Sequence, residues 1–362
     1  MKFPFALPLS PVVEREGANI RRKFLDSYCK ILMNKVIRFT VYILMFLMVV
    51  DRLEAATITY TDKMGRVVNV PVPVKRAVIV ISYELIPALN IWNQVAGVSR
   101  WAEQECDLYK AIVKSNPEFK RPTCGAGSDL NVEAILKLNP DIVITWTYNP
   151  NTIKFLEEKG IKVIGIYPES LNELYQVMRM HGELFAKEER AEELISEMEK
   201  VFSLIRERVS KIPADKRKKV IHLGGKPTTV SCGLGVSNDM IEIAGGINPA
   251  GSVKQRNMDV SVEKIIYWNP DVIFIWGSAG YNESWLYNNY QWRFVKAIRE
   301  HKVYKLPKWS TWSPRLAPVS LYMAMKIYPE CFKDICFEKV ADDFYHNVFG
   351  ISYFKVREYE GR

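Results

Sequence analysis

The sequence predicts an α/β protein of two lobes, each with a mainly parallel sheet, joined by one long helix and with a ligand cleft between them. Three observations carry this prediction. A sixteen-residue segment at 131–146 recurs at 261–276. Short continuous apolar runs, typical of strands covered on both faces, alternate with helical segments. Between the two copies, a charged segment at 188–212 carries one apolar stripe at helical spacing.

The repeated segment is identical at seven of its sixteen positions without a gap. Each copy opens with a polar residue and a Val-Glu pair. This pattern suits a helix start, since a glutamate is favourable at the positive end of the helix dipole. Asn-Pro then ends the helix, and the apolar run after it predicts a buried strand. Each copy therefore predicts helix, turn, strand and a terminal tryptophan, namely Trp146 and Trp276.

Residues 1–56 are predicted to form a secretory signal peptide. Lys35 and Arg38 precede an uncharged run at 39–50, apolar except for Thr40, which is too short for a comfortable membrane span. No cysteine stands at the end of this run, where a lipid would be attached, so a lipoprotein anchor is not supported. We expect export to the periplasm, and an uncleaved membrane anchor is the alternative.

The cleavage site and the start of translation each have two candidates. Small residues predict cleavage after Ala55 or Ala56. Met33 lies two residues before Lys35 and is a possible true start.

The first lobe is predicted at 57–185, a linking helix at 186–213, the second lobe at 214–350 and a short tail at 351–362. The expected strands besides those of the repeat are at 77–82, 94–99, 161–166, 219–223 and 303–306. The expected helices besides those of the repeat are at 85–92, 152–159, 238–244 and 293–301.

The linking segment at 188–212 places its apolar residues on one stripe and its charged residues on the other side. Pro213 ends it. At about 1.5 Å per residue, a helix of this length reaches roughly 37 Å. A coiled-coil partner helix is the alternative, but the segment lacks sustained heptads.

The formal charge of +9 does not point to nucleic acid. Residues 1–56 hold nine Lys or Arg against five Asp or Glu, which leaves +5 for the remainder. The one dense run, at 216–219, is typical of a solvated turn. The sequence has no zinc-finger spacing, no RNP-like strand and no basic helix, so no nucleic-acid partner is expected.

Five cysteines lie beyond the predicted signal peptide: Cys106, Cys124, Cys232, Cys331 and Cys336. An odd number cannot all pair within one chain. In an oxidising compartment, Cys106 with Cys124 and Cys331 with Cys336 are the pairings to test. Metal ligation lacks the usual spacing, and small buried core residues are the other interpretation.

Three segments carry a family resemblance: 125–144, 233–251 and 260–275. The chain resembles the helical-backbone, class III substrate-binding proteins of ABC importers for ferric siderophores, haem and cobalamin, over roughly residues 57–350. Segments near 303–332 look closest to the iron-chelate members. The resemblance implies two Rossmann-like lobes. It also implies a monomeric protein, not an enzyme and with no cofactor of its own, that delivers a metal chelate to a permease dimer.

The resemblance also assigns roles to the two glutamates of the repeat. In this family one acidic residue on each lobe docks against arginines of the permease, and the matching positions are Glu133 and Glu263. Two equivalent carboxylates on two lobes suit a two-fold symmetric transporter. The alternative is that each glutamate only stabilises its helix start.

Candidate ligand-binding residues are those expected just beyond strand ends, where ligands bind in open α/β sheets. Any one aromatic among them is equally typical of core packing, and Trp101 and Trp146 match aromatic positions of related cobalamin binders. The candidates are Tyr83, Trp101, Trp146 and Tyr148 in the first lobe, and Trp276, Tyr281, Trp309, Trp312 and Arg315 in the second.

Two polar residues have open interpretations. Arg315 suits an anionic chelate, because a guanidinium donates to carboxylate-like oxygens in a bidentate fork; alternatively, it braces the loop at Trp312. His222 is a weak candidate ligand for the metal of a chelate. The favoured interpretation of His222 is a neutral, hydrogen-bonded core residue.

Three other functions compete with an iron-chelate carrier. A cobalamin or haem carrier of the same fold is not distinguished by sequence. A free-metal-ion binding protein needs several His, Asp or Glu at the cleft, where this chain offers aromatics. An enzyme is disfavoured, since the sequence lacks a Gly-x-Ser-x-Gly elbow and a His-Glu-x-x-His motif.

Overall fold

The computed structural model describes residues 27, 30, 32–42 and 56–360. They belong to two compact units, 1–56 and 57–362, which are described separately. In the first unit, residues 32–42 are helical and exposed. Most of the predicted apolar run, at 43–50, lies outside the described residues, as does Ala55. Among the described residues, no helix is long and apolar enough to cross a membrane.

The second unit alternates strands and helices along its length. Its strands are β1 (Thr57–Thr61), β2 (Val67–Pro71), β3 (Ala77–Ile79), β4 (Val95–Val98), β5 (Gly125–Ala126), β6 (Asp129–Leu130), β7 (Ile142–Trp146), β8 (Lys162–Ile166), β9 (Val220–Leu223), β10 (Thr229–Ser231), β11 (Asn257–Asp259), β12 (Val272–Ile275) and β13 (Val303–Lys305). Its α-helices are α1 (Leu85–Leu89), α2 (Arg100–Gln104), α3 (Asp107–Ser115), α4 (Val132–Leu138), α5 (Pro150–Glu158), α6 (Leu171–Phe185), α7 (Glu188–Val209), α8 (Val236–Ile243), α9 (Val262–Trp268), α10 (Glu283–Asn288), α11 (Lys296–Arg299), α12 (Leu316–Ile327), α13 (Phe337–Phe349) and α14 (Tyr353–Arg357).

Two separate sheets define the two lobes, and the predicted fold class is confirmed. The first-lobe sheet has the order β4-β3-β7-β8, and all of its pairings are parallel. The second-lobe sheet has the order β11-β10-β9-β12-β13, in which β9, β12 and β13 are parallel. Strands β10 and β11 extend this sheet as an antiparallel edge.

The structure corrects several predicted boundaries. Helix α1 ends at Leu89 because Asn90 adopts a left-handed conformation at φ 53°. The helix predicted at 293–301 is a 3₁₀ turn and α11, separated by the extended backbone of Val295. The sequence did not predict several elements, among them the antiparallel pair β1–β2, helix α6 and helices α12 to α14.

One hydrophobic core runs through both lobes. Ile144 of the first sheet and Phe274 of the second belong to the same cluster of buried side chains, together with the apolar stripe of α7. All eight residues of that predicted stripe are buried. The opposite faces of the two sheets cover separate cores, around Val143 in the first lobe and Ile273 in the second. Helix α7 is therefore an integral part of the packing rather than a bare link.

The five described cysteines are all free, so neither proposed disulfide is formed. Cys106 packs in the shared core, whereas Cys124 packs in the core beneath the opposite face of the first sheet. Cys331 packs against the shared core, and Cys336 is exposed.

Candidate functional site

The two glutamates of the repeat occupy equivalent places on the two lobes. Glu133 lies in the first turn of α4 and Glu263 in the first turn of α9, and both are exposed. Asn131 caps α4 by accepting from the Ala134 N–H at 2.9 Å, and Ser261 caps α9 in the same way. The backbone N–H of Glu263 and the Ser261 side chain lower the pKa of Glu263. A carboxylate at a helix start is thus favourably held in its charged form.

The turn after each of these helices is also built twice. Asn139 and Asn269 end the helices in the left-handed conformation, at φ 43° and 48°. Asp141 then accepts from the backbone N–H groups of residues 75 and 76 at 3.0 and 2.8 Å. Asp271 accepts from the Lys219 N–H at 2.8 Å. These carboxylates join each repeat to the start of the neighbouring parallel strand, β3 or β9.

Five aromatic side chains form a continuous group, here called the cleft aromatic cluster: Trp101, Trp146, Tyr148, Tyr167 and Trp312. The ring centroids of Trp101 and Trp146 are 4.8 Å apart, and those of Trp146 and Tyr148 are 5.5 Å apart. Tyr167 lies 5.5 Å from Tyr148 and 4.6 Å from Trp312. Trp312 meets Trp146 edge-on at 6.0 Å, which closes the group.

The carboxyl ends of the first-lobe strands bring four of these rings together. Trp146 ends β7, Tyr148 follows it, Tyr167 follows β8 and Trp101 lies in the helix after β4. Parallel strands place these ends on one edge of a sheet. Gly127 admits the two indoles, since a Cβ there would lie 3.0 Å from Trp101 and 3.2 Å from Trp146. The predicted gathering of strand-end aromatics is therefore observed in the first lobe.

The second lobe contributes a cation to this cluster. The Arg256 guanidinium lies 3.7 Å from the Tyr167 ring centroid, and its Nε donates to Glu169 at 2.6 Å. Lys63 also pairs with Glu169, at 3.0 Å. Burial opposes the charge on Glu169, but the bonds from Lys63 and Arg256 outweigh it and lower the pKa of that carboxyl. The Arg256 side chain is still 41% exposed, so its remaining N–H groups are accessible.

Two predicted residues of the second lobe lie at the matching strand ends. Trp276 follows β12, and its N–H donates to the Leu223 carbonyl at the end of β9 at 2.8 Å. Its side chain is 48% exposed. The Tyr281 hydroxyl donates to the Gly224 carbonyl at 2.9 Å, so it holds the turn after β9. Trp276 therefore presents an accessible ring, whereas the hydroxyl of Tyr281 is already engaged by the backbone.

Two other predicted ligand residues are buried in a joint between the lobes, which corrects their assignment. The Arg315 side chain is fully buried, and its guanidinium donates to both oxygens of Asp107 at 2.7 and 2.8 Å and to Glu84 at 2.9 Å. Trp309 is 5% exposed, and its Nε1 donates to Asp107 at 3.1 Å. Both side chains therefore bind carboxylates of the first lobe, and Trp309 Nε1 also donates to Glu360 at 3.0 Å. The polar groups of Arg315 and Trp309 are engaged within the protein, apart from the cleft aromatic cluster.

Tyr83 also lies beside this joint. Its ring packs against the shared core, and burial, together with Cys106 and Glu84, raises the pKa of its hydroxyl well above the ordinary value. Its position after β3 agrees with the sequence, but its surroundings are those of the joint rather than of the cleft aromatic cluster.

His222 is a buried residue of β9. Its Nδ1 lies 2.9 Å from the Ser231 hydroxyl, and its buried Nε2 has no hydrogen-bond partner among the described residues. Burial lowers the pKa of His222 to about 4, so the ring is neutral at pH 7. Within the described part of the chain, no group of three or more His, Cys, Asp or Glu residues could hold a metal ion.

Sequence reasoning missed Tyr167 and Arg256. The rule that selected Tyr148, an aromatic just beyond a strand end, applies equally to Tyr167 after β8. Arg256 precedes the short edge strand β11, and no sequence pattern marks it. Its contacts with Tyr167 and Glu169 of the first lobe depend on how the two lobes pack together, which the local sequence does not indicate.

Two α/β lobes joined by one long helix, with aromatic side chains beyond the strand ends, are typical of a solute-binding protein. Residues 81–309 match the family model described as "Periplasmic binding protein". The chain belongs to this family and is the substrate-binding component of an ABC importer.

Three similar proteins illustrate the family. The molybdate-binding protein MolA of Haemophilus influenzae is 27% identical over 81% of this chain and 91% of its own length. Its molybdate-bound structure matches with a TM-score of 0.68 at 25% identity, over 82% of this chain and 99% of that one. The nickel–histidine complex of Helicobacter pylori CeuE matches with a TM-score of 0.73 at 27% identity, over 85% and 100%. The iron(3+)-hydroxamate-binding protein FhuD of Bacillus subtilis is 26% identical over 71% of this chain and 81% of its own.

Proposed function

We propose that this protein captures a ferric siderophore or a similar metal chelate as a monomer and delivers it to the permease of its importer. The observation that carries the proposal is the cleft aromatic cluster with Arg256 beside it. Aromatic faces suit flat, unsaturated donor groups such as catecholates. A partly exposed guanidinium suits the negative charge of a ferric chelate.

The similar proteins support a ligand that contains a metal, although each of them binds a different ligand. Molybdate, nickel with histidine, and a ferric hydroxamate are named for three similar proteins. A chelate brings its own donor atoms, so it needs no cluster of protein ligands around the metal. In this proposal, the organic part of the chelate contacts six aromatic residues: Trp101, Trp146, Tyr148, Tyr167, Trp276 and Trp312.

His222 has a secondary place in this proposal. In the tautomer that carries the ring proton on Nδ1, which then donates to Ser231, the unpartnered Nε2 has a lone pair for an open coordination position of a metal. Because Nε2 is buried, this contact requires the side chains around it to move on ligand binding. The Ser231 hydroxyl holds the ring from the other side. His222→Ala should therefore weaken the binding of a coordinatively unsaturated ferric chelate more than that of a saturated one.

The ligand test is a tryptophan-fluorescence titration with ferric tris-catecholate, haem, cyanocobalamin, molybdate and free ferric ion. We expect saturable quenching by the ferric catecholate at the lowest concentration. Arg256→Ala should weaken that binding about tenfold, because it removes a charge-assisted contact. Arg208→Ala is the matched control, since Arg208 pairs with Asp334 away from the cluster.

The other outcomes of this titration assign different ligands. Preference for a porphyrin or a corrin would make the protein a haem or cobalamin carrier. Tight one-to-one binding of a free metal ion that depends on His222 would replace the chelate with a metal ion. Native mass spectrometry of protein from its source, with an absorption spectrum of any ligand retained, gives an independent answer.

We further propose that Glu133 and Glu263 dock the two lobes onto the permease. Their equivalent, accessible places at helix starts support this role. Replacing both with alanine should abolish transport in reconstituted vesicles and leave ligand affinity unchanged. Glu338→Ala is the control, because Glu338 also lies in the first turn of a helix. Weaker ligand binding in the double variant would instead place these residues at the cleft.

We also propose that 1–56 is a cleaved signal peptide and that the mature protein is periplasmic. The compact unit that begins at Thr57 supports a boundary at this point. Amino-terminal sequencing of the exported protein should begin at Ala56 or Thr57. A protein that keeps residues 39–50 after export would be membrane-anchored instead.

A further inference from the structure

The second lobe exposes three aromatic rings outside the cleft. Tyr267 is 78% exposed, Tyr290 68% and Phe294 53%. Together with Lys264 and Arg293 they are here called the second-lobe aromatic patch. Single exposed apolar residues are common on protein surfaces, but a group of large rings marks a site of interaction.

Backbone contacts bring the members of this patch together. Helix α9, which carries Tyr267, packs against the 3₁₀ turn Tyr290–Phe294. Just beyond this turn, the Lys296 N–H donates to the Asn269 side chain at 2.9 Å. The end of α9 and the turn are therefore held side by side.

The two cations of the patch lie over its rings. The Lys264 Nζ is 5.1 Å from the Tyr267 ring centroid. The Arg293 guanidinium is 3.5 Å from the Tyr290 centroid and 4.6 Å from that of Phe294. Within the described residues, neither cation forms an ion pair. Both charges thus remain available to a partner.

The patch adjoins the proposed docking glutamate. Glu263 and Tyr267 are four residues apart on α9, and this spacing places both on one face of the helix. The first lobe lacks this arrangement, because Ala134 and Lys137 stand where the second lobe has Lys264 and Tyr267. The two proposed docking faces therefore share the glutamate, but the residues next to it differ between the lobes.

We propose that the second-lobe aromatic patch is a second contact with the permease, so that the second lobe contributes more to permease affinity than the first. The inference rests on the proposed docking by Glu133 and Glu263. Aromatic and arginine side chains contribute most of the binding free energy in protein interfaces, so the patch would add affinity to the contact that Glu263 makes. The proposal requires a permease surface with apolar pockets next to acidic groups, beside the cation that pairs with Glu263.

A membrane surface fits the patch less well. Lys264 and Arg293 suit anionic head groups, but the Glu263 carboxylate on the same face is repelled by them. A protein surface can place a cation opposite Glu263 and an acidic group opposite each cation. The permease therefore suits the whole face, and lipid only part of it.

The test measures binding of the ligand-loaded protein to its permease–ATPase complex in lipid nanodiscs by surface plasmon resonance. Tyr267→Lys gives the second lobe the residue of the first, and it is combined with Phe294→Ala. We expect this double variant to bind the permease about tenfold more weakly, with ferric catecholate affinity unchanged. Lys137→Ala in the first lobe should change permease binding less than about twofold.

A matched control separates the patch from exposed rings in general. Phe354 is 52% exposed and lies on α14, away from α9. Phe354→Ala should leave permease binding within about twofold of the unmodified protein. Circular dichroism and thermal unfolding establish that each variant is folded before it is compared.

The outcomes distinguish this inference from the docking proposal. If Glu133→Ala with Glu263→Ala loses permease binding but the patch variant does not, the docking proposal stands and the patch has no role in it. If the unmodified protein does not bind its permease, both proposals fail. Equal binding to empty nanodiscs of phosphatidylethanolamine and phosphatidylglycerol, lost in the patch variant, would show a lipid site and overturn the inference.

Discussion

The two lobes share a scaffold and differ where that scaffold ends. Both contain a capped helix, a left-handed asparagine and an aspartate that binds the backbone before the neighbouring strand. Beyond the strand, Trp146 is packed among other rings, whereas Trp276 is about half exposed. Backbone hydrogen bonds constrain the first part of the unit, so it is retained in both copies. Beyond the strand ends the side chains differ between the two copies, and there the lobes present different surfaces.

The lobes also differ from a pair of independent domains, because they share one core. Helix α7 buries its stripe in the core that both sheets share, and the joint at Arg315 adds a buried bond between the lobes. A closure motion that separated these surfaces would expose apolar area and an ion pair together. We therefore expect small movements of the lobes on ligand binding and cooperative unfolding of residues 57–362.

The largest effect on stability is expected from Arg315→Ala, which breaks the joint. The change leaves Glu84 and Asp107 buried without their cation, and removing one partner of a buried ion pair costs about 3–5 kcal/mol. Urea denaturation, followed by circular dichroism, measures the free energy of unfolding. The surface variant Arg208→Ala should cost roughly 1 kcal/mol or less. Two separate unfolding transitions in the unmodified protein would show that the lobes are independent.

Arg315 also shows why the joint between the lobes could not be predicted from the sequence. Its partners Glu84 and Asp107 are 231 and 208 residues away in the chain. From its neighbours alone, an arginine after Trp-Ser-Pro resembles a loop residue available to an anionic ligand. Burial and the distant carboxylates decide its role, and neither is encoded locally.

Other features could be predicted because their causes are local. The repeat, its helix stops and its buried strands depend on residues within a few positions of one another. The apolar stripe of α7 was predicted in full for the same reason. The antiparallel pair β1–β2 was missed, although the alternation of its residues is typical of a half-buried strand. Tyr167 was missed because the strand-end rule was not applied to β8.

The next largest effect per residue is the loss of stability in acid that each of two buried histidines causes. Burial lowers the pKa of His181 in α6 and of His222 in β9 from 6.5 to about 4. The unfolded chain therefore binds protons that the folded chain does not. Stability is fully present above about pH 6.5 and falls as the pH drops towards about 4, by roughly 3 kcal/mol per histidine. Urea denaturation at a series of pH values measures this fall.

The histidines also test the shared core. If the lobes unfold together, His222→Asn should flatten the dependence of the single transition on pH by about half, and His181 should supply the rest. A pH dependence unchanged by this variant would contradict the burial of His222. A dependence confined to one of two transitions would contradict the shared core.

A smaller effect is expected from the two equivalent aspartates. Asp141→Ala and Asp271→Ala each leave backbone N–H groups without their acceptor, and each should cost roughly 1–3 kcal/mol. Asp271 also pairs with Lys296 at 2.6 Å, whereas Asp141 receives two backbone bonds. High salt should therefore reduce the cost for Asp271 more than for Asp141. An equal effect of salt on the two variants would show that the pair between Asp271 and Lys296 does not contribute to stability.

The smallest effect on stability is expected where the lobes differ most, at Trp276. Because half of its side chain is already exposed, Trp276→Ala should change the free energy of unfolding by about 0.5 kcal/mol or less. Trp146→Ala should cost more, since it removes a ring that contacts three others. Both variants should weaken ferric catecholate binding in the fluorescence titration. If Trp276→Ala destabilises the protein as much as Trp146→Ala, Trp276 serves packing rather than the ligand. The proposed binding surface would then consist of the first-lobe rings with Trp312 and Arg256 of the second lobe.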